Sequence, residues 1–342
     1  MKAVRVEPTF SILTTAYRTE AYIAGAIESV LAQTRTDWEL IVVDNGLSDE
    51  MAWIVSSYTA DPRITFVRQE NRGVGGGVEA AADIARGRFF TVLHSDDLLM
   101  PDFCDRIGAV LDSDPRIDAV GCDAYLFDDA DGSTIGTHQR SLGFTKRPTP
   151  RHRVTLTEAL AGRIPYYSGV VRREAWLAAG GYKPAARHVE EDVMLWLHLL
   201  GAGYDVRMVP DRLGRFRRRS DSLSHDPRSV DEFEERLENT FVVAARRSGQ
   251  RQDLDALEGT LRRLRYYAHL RRARCAALVG DVDAARTAAR NAFDQHHTVR
   301  AASIVASLTL APGTLRRIHP AKQRVTATVQ RAGSLLPSRL IR

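Results

Sequence analysis

The chain has 342 residues, 44% of them apolar and 27% charged, with a formal net charge of +5. That length holds one large α/β domain with a smaller appendage, and no apolar run approaches the roughly 18 residues that a membrane helix needs. Subtracting the +7 carried between Pro312 and Arg342 leaves residues 1–311 at about −2, which speaks against a domain built to grip nucleic acid.

The opening residues contain no apolar stretch of signal-peptide length, so the expected location is cytoplasmic. Residues 9–15 (TFSILTT) read as a strand, and residues 20–33 as a helix with Ile23, Ile27, Val30 and Leu31 on one face. Residues 38–44 (WELIVVD) and 64–69 (ITFVRQ) give the next two strands, with a helix between them from about Asp49 to Tyr58. A small-residue helix over 77–87 closes with Gly87, and residues 88–94 (RFFTVLH) make a fourth strand, apolar on both faces. Strands alternating with helices of this length predict parallel crossovers and a doubly wound sheet, with ligands beyond the carboxyl ends of the strands.

Farther along, residues 117–136 predict a strand that turns through Asp131 and Gly132, where Asp-Gly supplies the positive φ of a hairpin. A short strand at 168–173 and helices at 174–182 and 191–204 follow, and from Ser229 the pattern is wholly helical. The turn at Gly280 and Asp281 resembles one pair of a helical-hairpin repeat. Cys104, Cys122 and Cys275 are odd in number and far apart, which fits buried free thiols rather than disulfides or zinc ligands.

Five stretches could carry chemistry. Asp44 ends a strand and is followed by Asn45, Gly46, Leu47, Ser48 and Asp49. It is suited either to a nucleotide's ribose or base or to a turn ahead of a helix capped by Asp49. Asp96 and Asp97 follow the buried fourth strand in His94-Ser95-Asp96-Asp97, where a divalent cation would relieve their repulsion, and a helix cap before Pro101 is the alternative. Glu190, Glu191 and Asp192 open a helix, where the macrodipole favours acids and where a base for an acceptor hydroxyl could sit. The glycines from Gly73 to Gly77 suit close helix packing or phosphate contact. The run from Arg215 to Arg219 suits a diphosphate or a solvated charged face.

Taken in order, FSILTTAYRTEAYIAGAIESVLAQT, WELIVVDNGLSD, NRGVGGG, VLHSDDLLMP, GVVRREAWLAAGGY and VEEDVMLWLHLLGAGY resemble the family 2 glycosyltransferases of the GT-A fold, over roughly residues 8–226. The resemblance implies an α/β fold of GT-A type: a mixed, mostly parallel sheet flanked by helices, here with a C-terminal helical appendage. It divides the chain into a transferase domain over 1–228 (nucleotide half about 1–115, acceptor half about 116–228), a helical region over 229–311 and a basic tail over 312–342.

The implied reaction is inverting transfer of a sugar from a nucleoside-diphosphate sugar, a UDP-sugar first, to a hydroxyl acceptor such as a lipid-linked or cell-envelope glycan, assisted by Mg2+ or Mn2+. Thr15, Ala16, Tyr17, Asp44, Asn45, Gly75, Ser95, Asp96 and Arg219 would meet the donor, Asp97 the metal, and Asp192 would be the base with Glu191 beside it. The competing reading is a nucleotide-sugar-binding or scaffold protein without catalysis. Several positions depart from the family pattern. His94 and Asn45 stand where Asp is common, Arg18 where Asn is, Val78 and Glu79 where Arg and Asn are, and Arg219 where His is frequent. The basic tail, interleaved with leucines, suits peripheral contact with an anionic membrane surface, and the helical region suits a homo-oligomer contact.

Overall fold

The computed structural model describes residues 7–141, 147–165, 167–183, 188–219 and 229–311; the basic tail, and with it the expected membrane contact, lies outside them. The first half alternates as its periodicity predicts: β1 (Phe10–Ala16), α1 (Glu20–Leu31), β2 (Trp38–Asp44), α2 (Asp49–Ser56), β3 (Ile64–Arg68), α3 (Gly73–Ala82) and β4 (Phe89–Val92). Then come β5 (Leu98–Leu99), α4 (Phe103–Ser113), β6 (Ala119–Asp128), β7 (Thr134–Thr137), α5 (His138–Ser141) and α6 (Leu156–Leu160). β8 (Val170–Arg172), α7 (Arg173–Ala179), α8 (Glu191–Gly201) and β9 (Val206–Arg218) complete the sheet. Four helices follow: α9 (Val230–Ser248), α10 (Arg251–Val279), α11 (Val282–Gln295) and α12 (Val299–Leu310).

The strands form one sheet in the order β3-β2-β1-β4-β8-β6-β9-β5, with β7 on β6. β3, β2, β1 and β4 are parallel neighbours. Beyond them β8 runs antiparallel to both β4 and β6, and β9 runs parallel to β6 but antiparallel to β5. The sheet is therefore mixed, parallel in its first half because each strand there returns through a helix. Every residue of β1 and β2 is buried, which is why these strands read as largely apolar without alternation; the buried Ser11 donates to Glu39 at 2.7 Å and Arg86 pairs with Glu39 at 2.7 Å. α1 buries Ile23, Ile27 and Val30 of the predicted face together with Ala26, while Leu31 stays partly open.

Three sequence expectations need correction. The helix expected over 77–87 is α3, which starts within the glycines at Gly73 and stops at Ala82. Gly87 does not close that helix: it lies against β1, where a Cβ would come 2.6 Å from the backbone nitrogen of Ser11. The arginine run belongs to β9, a strand of 13 residues whose charges hid it from a hydrophobicity pattern. Its Arg215 and Arg217 guanidiniums lie 4.4 and 4.6 Å from the Phe127 ring of β6, so the cations cover an aromatic instead of extending into water. Finally, Cys104 and Cys122 are buried, but Cys275 is exposed. The buried face of α10 near it is Leu270, Ala273 and Ala277, and Cys275 falls between those positions. The hairpin of β6 and β7 does turn where Asp-Gly stands, with Gly132 at φ 68°.

The main core runs from the sheet into the helical region, because Phe241, Ala244 and Ala245 of α9 and Leu257 of α10 belong to it. The rest of α10 packs with α11 and α12 through small alanine-rich clusters. No helix among the described residues is long and apolar enough to cross a membrane.

Candidate active site

The parallel register brings the carboxyl ends of β1 and β2 level, Ala16 beside Asp44, and these strand ends with the residues just after them hold five of the nine predicted donor-binding residues: Thr15, Ala16, Tyr17, Asp44 and Asn45. Thr15, Ala16, Asp44 and Asn45 are buried, and Tyr17 is exposed with its ring against Gly46, where any Cβ would come 2.8 Å from the ring. Asp44 is a strand-end anchor: Oδ1 accepts from the Gly46 and Ser48 amides at 3.2 Å each, and Oδ2 accepts from Arg68 Nε at 3.0 Å. Ser48, not Asp49, caps α2, its hydroxyl accepting from the Met51 amide. Leu47 and Arg18, in the loops after β2 and β1, take positive φ values of 53° and 56°, strain of the kind concentrated at ligand loops.

Asn45 ties its loop to the start of α3. Its amide nitrogen donates to the Gly73 carbonyl at 2.8 Å, and its oxygen accepts from Gln69 Nε2 at 2.7 Å and the Arg72 amide at 3.1 Å. The glycines let α3 press into this corner: a Cβ on Gly77 would stand 2.7 Å from Thr15 Cβ, and one on Gly75 would stand 3.0 Å from the Tyr182 carbonyl and 3.3 Å from Glu191 Oε1. One helix thus touches Thr15 at the end of β1 and the acid group that opens α8. Val78 is fully buried in the core, and Glu79 accepts from the Tyr182 amide at 2.6 Å, so both departures from the family pattern are taken up by structural contacts.

The loop after β4 is fixed from several directions. Ser95 and Thr19 share a hydroxyl hydrogen bond of 2.7 Å. Asp97, 1% exposed, accepts from the Tyr167 hydroxyl at 2.5 Å and from the Arg217 amide at 2.7 Å. Arg217 Nε donates to the Asp96 carbonyl at 2.7 Å, and its guanidinium reaches Asp129 at 3.0 Å. Arg219 faces the Asp96 carboxylate at 3.5 Å and covers the Tyr22 ring at 4.7 Å. His94 stacks on Tyr167 with ring centroids 3.9 Å apart, and burial lowers its pKa against the pull of Asp96, favouring the neutral imidazole. One ligand atom from each of His94, Asp96 and Asp97 lies within 4.8 Å of the others. This mixed nitrogen and oxygen donor set fits a divalent cation, Mn2+ more readily than the oxygen-seeking Mg2+.

Glu190, Glu191 and Asp192 sit at the N-terminus of α8, as the acid pattern predicts. Asp192 Oδ1 accepts from the Val193 amide at 2.7 Å. Burial, reinforced by the nearby negative charge of Glu190 and Glu191, pushes its pKa up to about 7. Glu190 is raised by burial too, with Arg236 of α9 opposing the shift across a 2.7 Å ion pair. Thr240 of α9 accepts from the Glu190 amide at 2.8 Å. Sequence reasoning missed Tyr22, Arg68, Tyr167, Arg217 and Arg236, and it could not have found them. Tyr22 and Arg217 stand in stretches the sequence did single out, but the contact each makes, like those of Arg68, Tyr167 and Arg236, is set only by tertiary packing.

Residues 11–177 match the family model described as glycosyl transferase family 2. Over 101 residues the chain is 36% identical to the putative glycosyltransferase EpsH of Bacillus subtilis (strain 168), a match covering 29% of this chain and 29% of that protein. The fold is similar to that of S. aureus TarS 1-349 crystallised with UDP-GlcNAc, at TM-score 0.58 and 15% identity, covering 92% of each chain. It is also similar to the mannosyltransferase PcManGT of Pyrobaculum calidifontis crystallised with GDP-Man and Mn2+, at TM-score 0.56 and 18% identity, covering 97% of this chain and 89% of that one.

Proposed function

Starting from a family 2 glycosyltransferase segment over residues 11–177, we propose that the protein is an inverting transferase moving a sugar from a nucleoside-diphosphate sugar, a UDP-sugar first, to a hydroxyl acceptor. The observation that carries this reading is the role of α3, which packs on the end of β1 at Thr15 through Gly77 and against Glu191 through Gly75, placing an acid group beside the carboxyl end of the strand. The TarS complex with UDP-GlcNAc and the PcManGT complex with GDP-Man and Mn2+ support the class of donor. In this reading the nucleotide half ends near residue 115 and the half that receives the acceptor follows it.

Asp192 takes the proton of the acceptor hydroxyl as that oxygen attacks the anomeric carbon. The carbon–oxygen bond to the diphosphate breaks as the new glycosidic bond forms, so the nucleoside diphosphate leaves from the opposite face and the configuration inverts. Asp96 and Asp97, with His94, would hold a divalent cation, which supplies charge stabilisation to the departing diphosphate. Arg219 adds positive charge beside Asp96, and Arg217 fixes the loop's backbone. Thr15, Ala16, Tyr17, Asn45 and Gly75 shape the nucleotide side. Asp44 acts through the loop it anchors, since its oxygens are engaged by Arg68 and two amides.

The test is thermal unfolding with UDP, GDP and their sugars, each with and without Mn2+. A UDP ligand with Mn2+ is expected to raise Tm most, and a panel in which no nucleotide stabilises the protein refutes the transferase reading.

A further inference from the structure

We infer that His94 is the nitrogen ligand of the cation site and sets its preference for Mn2+ over Mg2+. The inference rests on the proposed metal-assisted transfer and deepens it, assigning a role to a residue that interrupts an otherwise all-oxygen acidic loop.

The Nε2 atom of His94 is buried and has no hydrogen-bond partner. A buried ring nitrogen without a partner costs free energy, so a site that retains one has a use for it. A ring nitrogen of the same side chain lies within 4.8 Å of a carboxylate oxygen of both Asp96 and Asp97. The ring cannot swing away at little cost, because Tyr167 stacks on it at 3.9 Å while donating its hydroxyl proton to Asp97 at 2.5 Å. Tyr167 therefore orients both a nitrogen donor and a carboxylate donor, the arrangement of an outer layer that fixes metal ligands. Mg2+ prefers oxygen donors and gives up water reluctantly, whereas Mn2+ accepts an imidazole beside carboxylates and stands above it in affinity for nitrogen donors. An all-carboxylate loop would leave the two ions closer in affinity.

The experiment uses the full chain with UDP and titrates Mn2+ by electron paramagnetic resonance, with Mg2+ as competitor, for the wild type, His94→Phe and His94→Asp. Phe keeps the stack on Tyr167 and removes the nitrogen, so Tm in metal-free buffer serves as the folding control. His94→Phe is expected to bind Mn2+ at least about tenfold more weakly with its metal-free Tm unchanged. His94→Asp is expected to bind both ions with a smaller Mn2+ to Mg2+ ratio. Pulsed measurements on the wild type are expected to detect nitrogen-14 coupling to the bound Mn2+, which needs no variant to fold. Wild-type Mn2+ binding without that coupling, or equal Mn2+ affinity in His94→Phe, overturns the role of His94 and leaves the transferase reading standing. A wild type that takes up no Mn2+ with UDP, yet is stabilised by UDP alone, also overturns it. Failure of every nucleotide to bind falls on the transferase reading instead.

Discussion

Replacing Asp192 with Asn removes a carboxyl that the fold keeps protonated up to about pH 7, against an ordinary value of 3.8. An acid whose pKa is raised in the folded state favours the unfolded state once the pH exceeds its unfolded value. Stability therefore falls as pH climbs from about 4 through about 7 and levels off above it. At ~1.4 kcal/mol per pH unit, the shift from 3.8 to about 7 costs the wild type up to about 4 kcal/mol, and because Asp192 is only half-buried, solvent screening brings the expected figure to about 2–4 kcal/mol. Asn carries no such cost and keeps an oxygen to accept from the Val193 amide. Urea unfolding of both proteins at pH 4, 6, 7.5 and 8.5 should give curves that coincide at the lowest pH and separate upward, with the variant the more stable. Turnover should fall by about 100-fold or more with donor binding retained, and wild-type kcat/KM should rise with pH through about 7. Parallel stability curves across this range refute the assignment of a buried, charge-averse carboxyl, and wild-type turnover in the variant moves the base elsewhere, with Glu191 next to be tested.

Arg236→Met removes the cation paired with Glu190 at 2.7 Å and leaves the negative charge beside Asp192 uncompensated. The acidic limb of the kcat/KM profile should move to higher pH and stability should drop by about 1–3 kcal/mol; an unmoved limb separates α9 from the chemistry. Gly77→Ala drives a methyl group into Thr15, so it should cost about 1–3 kcal/mol and weaken nucleotide binding. In contrast, Gly259→Ala on α10, where a Cβ meets nothing within 4 Å, should add up to about 1 kcal/mol of stability in the same thermal unfolding assay.

The sequence by itself determined the parallel half of the sheet and the positions of the acids. β1, β2 and β4 are buried on both faces, so they are mostly apolar, with the few polar residues such as Ser11 and Glu39 paired inside, and a largely apolar run ending in a polar loop marks a strand's carboxyl edge. Asp44, Asp96, Asp97 and Asp192 were legible for the same reason: each stands where an apolar segment stops or a helix begins. Tertiary structure alone decided what these acids contact. Whether Asp44 meets ribose or anchors a loop depends on Arg68, 24 positions away in sequence, and the surroundings of Asp97 depend on Tyr167 and Arg217, 70 and 120 positions away. Periodicity reports which face of an element is dry, and it is silent on which distant side chain fills the space opposite. β9 fell outside its reach as well, because arginines lying over Phe127 and Tyr22 bury a charged strand without any apolar alternation to announce it. The elevated pKa of Asp192 belongs to the same class of fact, since it arises where α8 packs under α9 and beside two further acids, a density of burial and charge that only the folded chain creates.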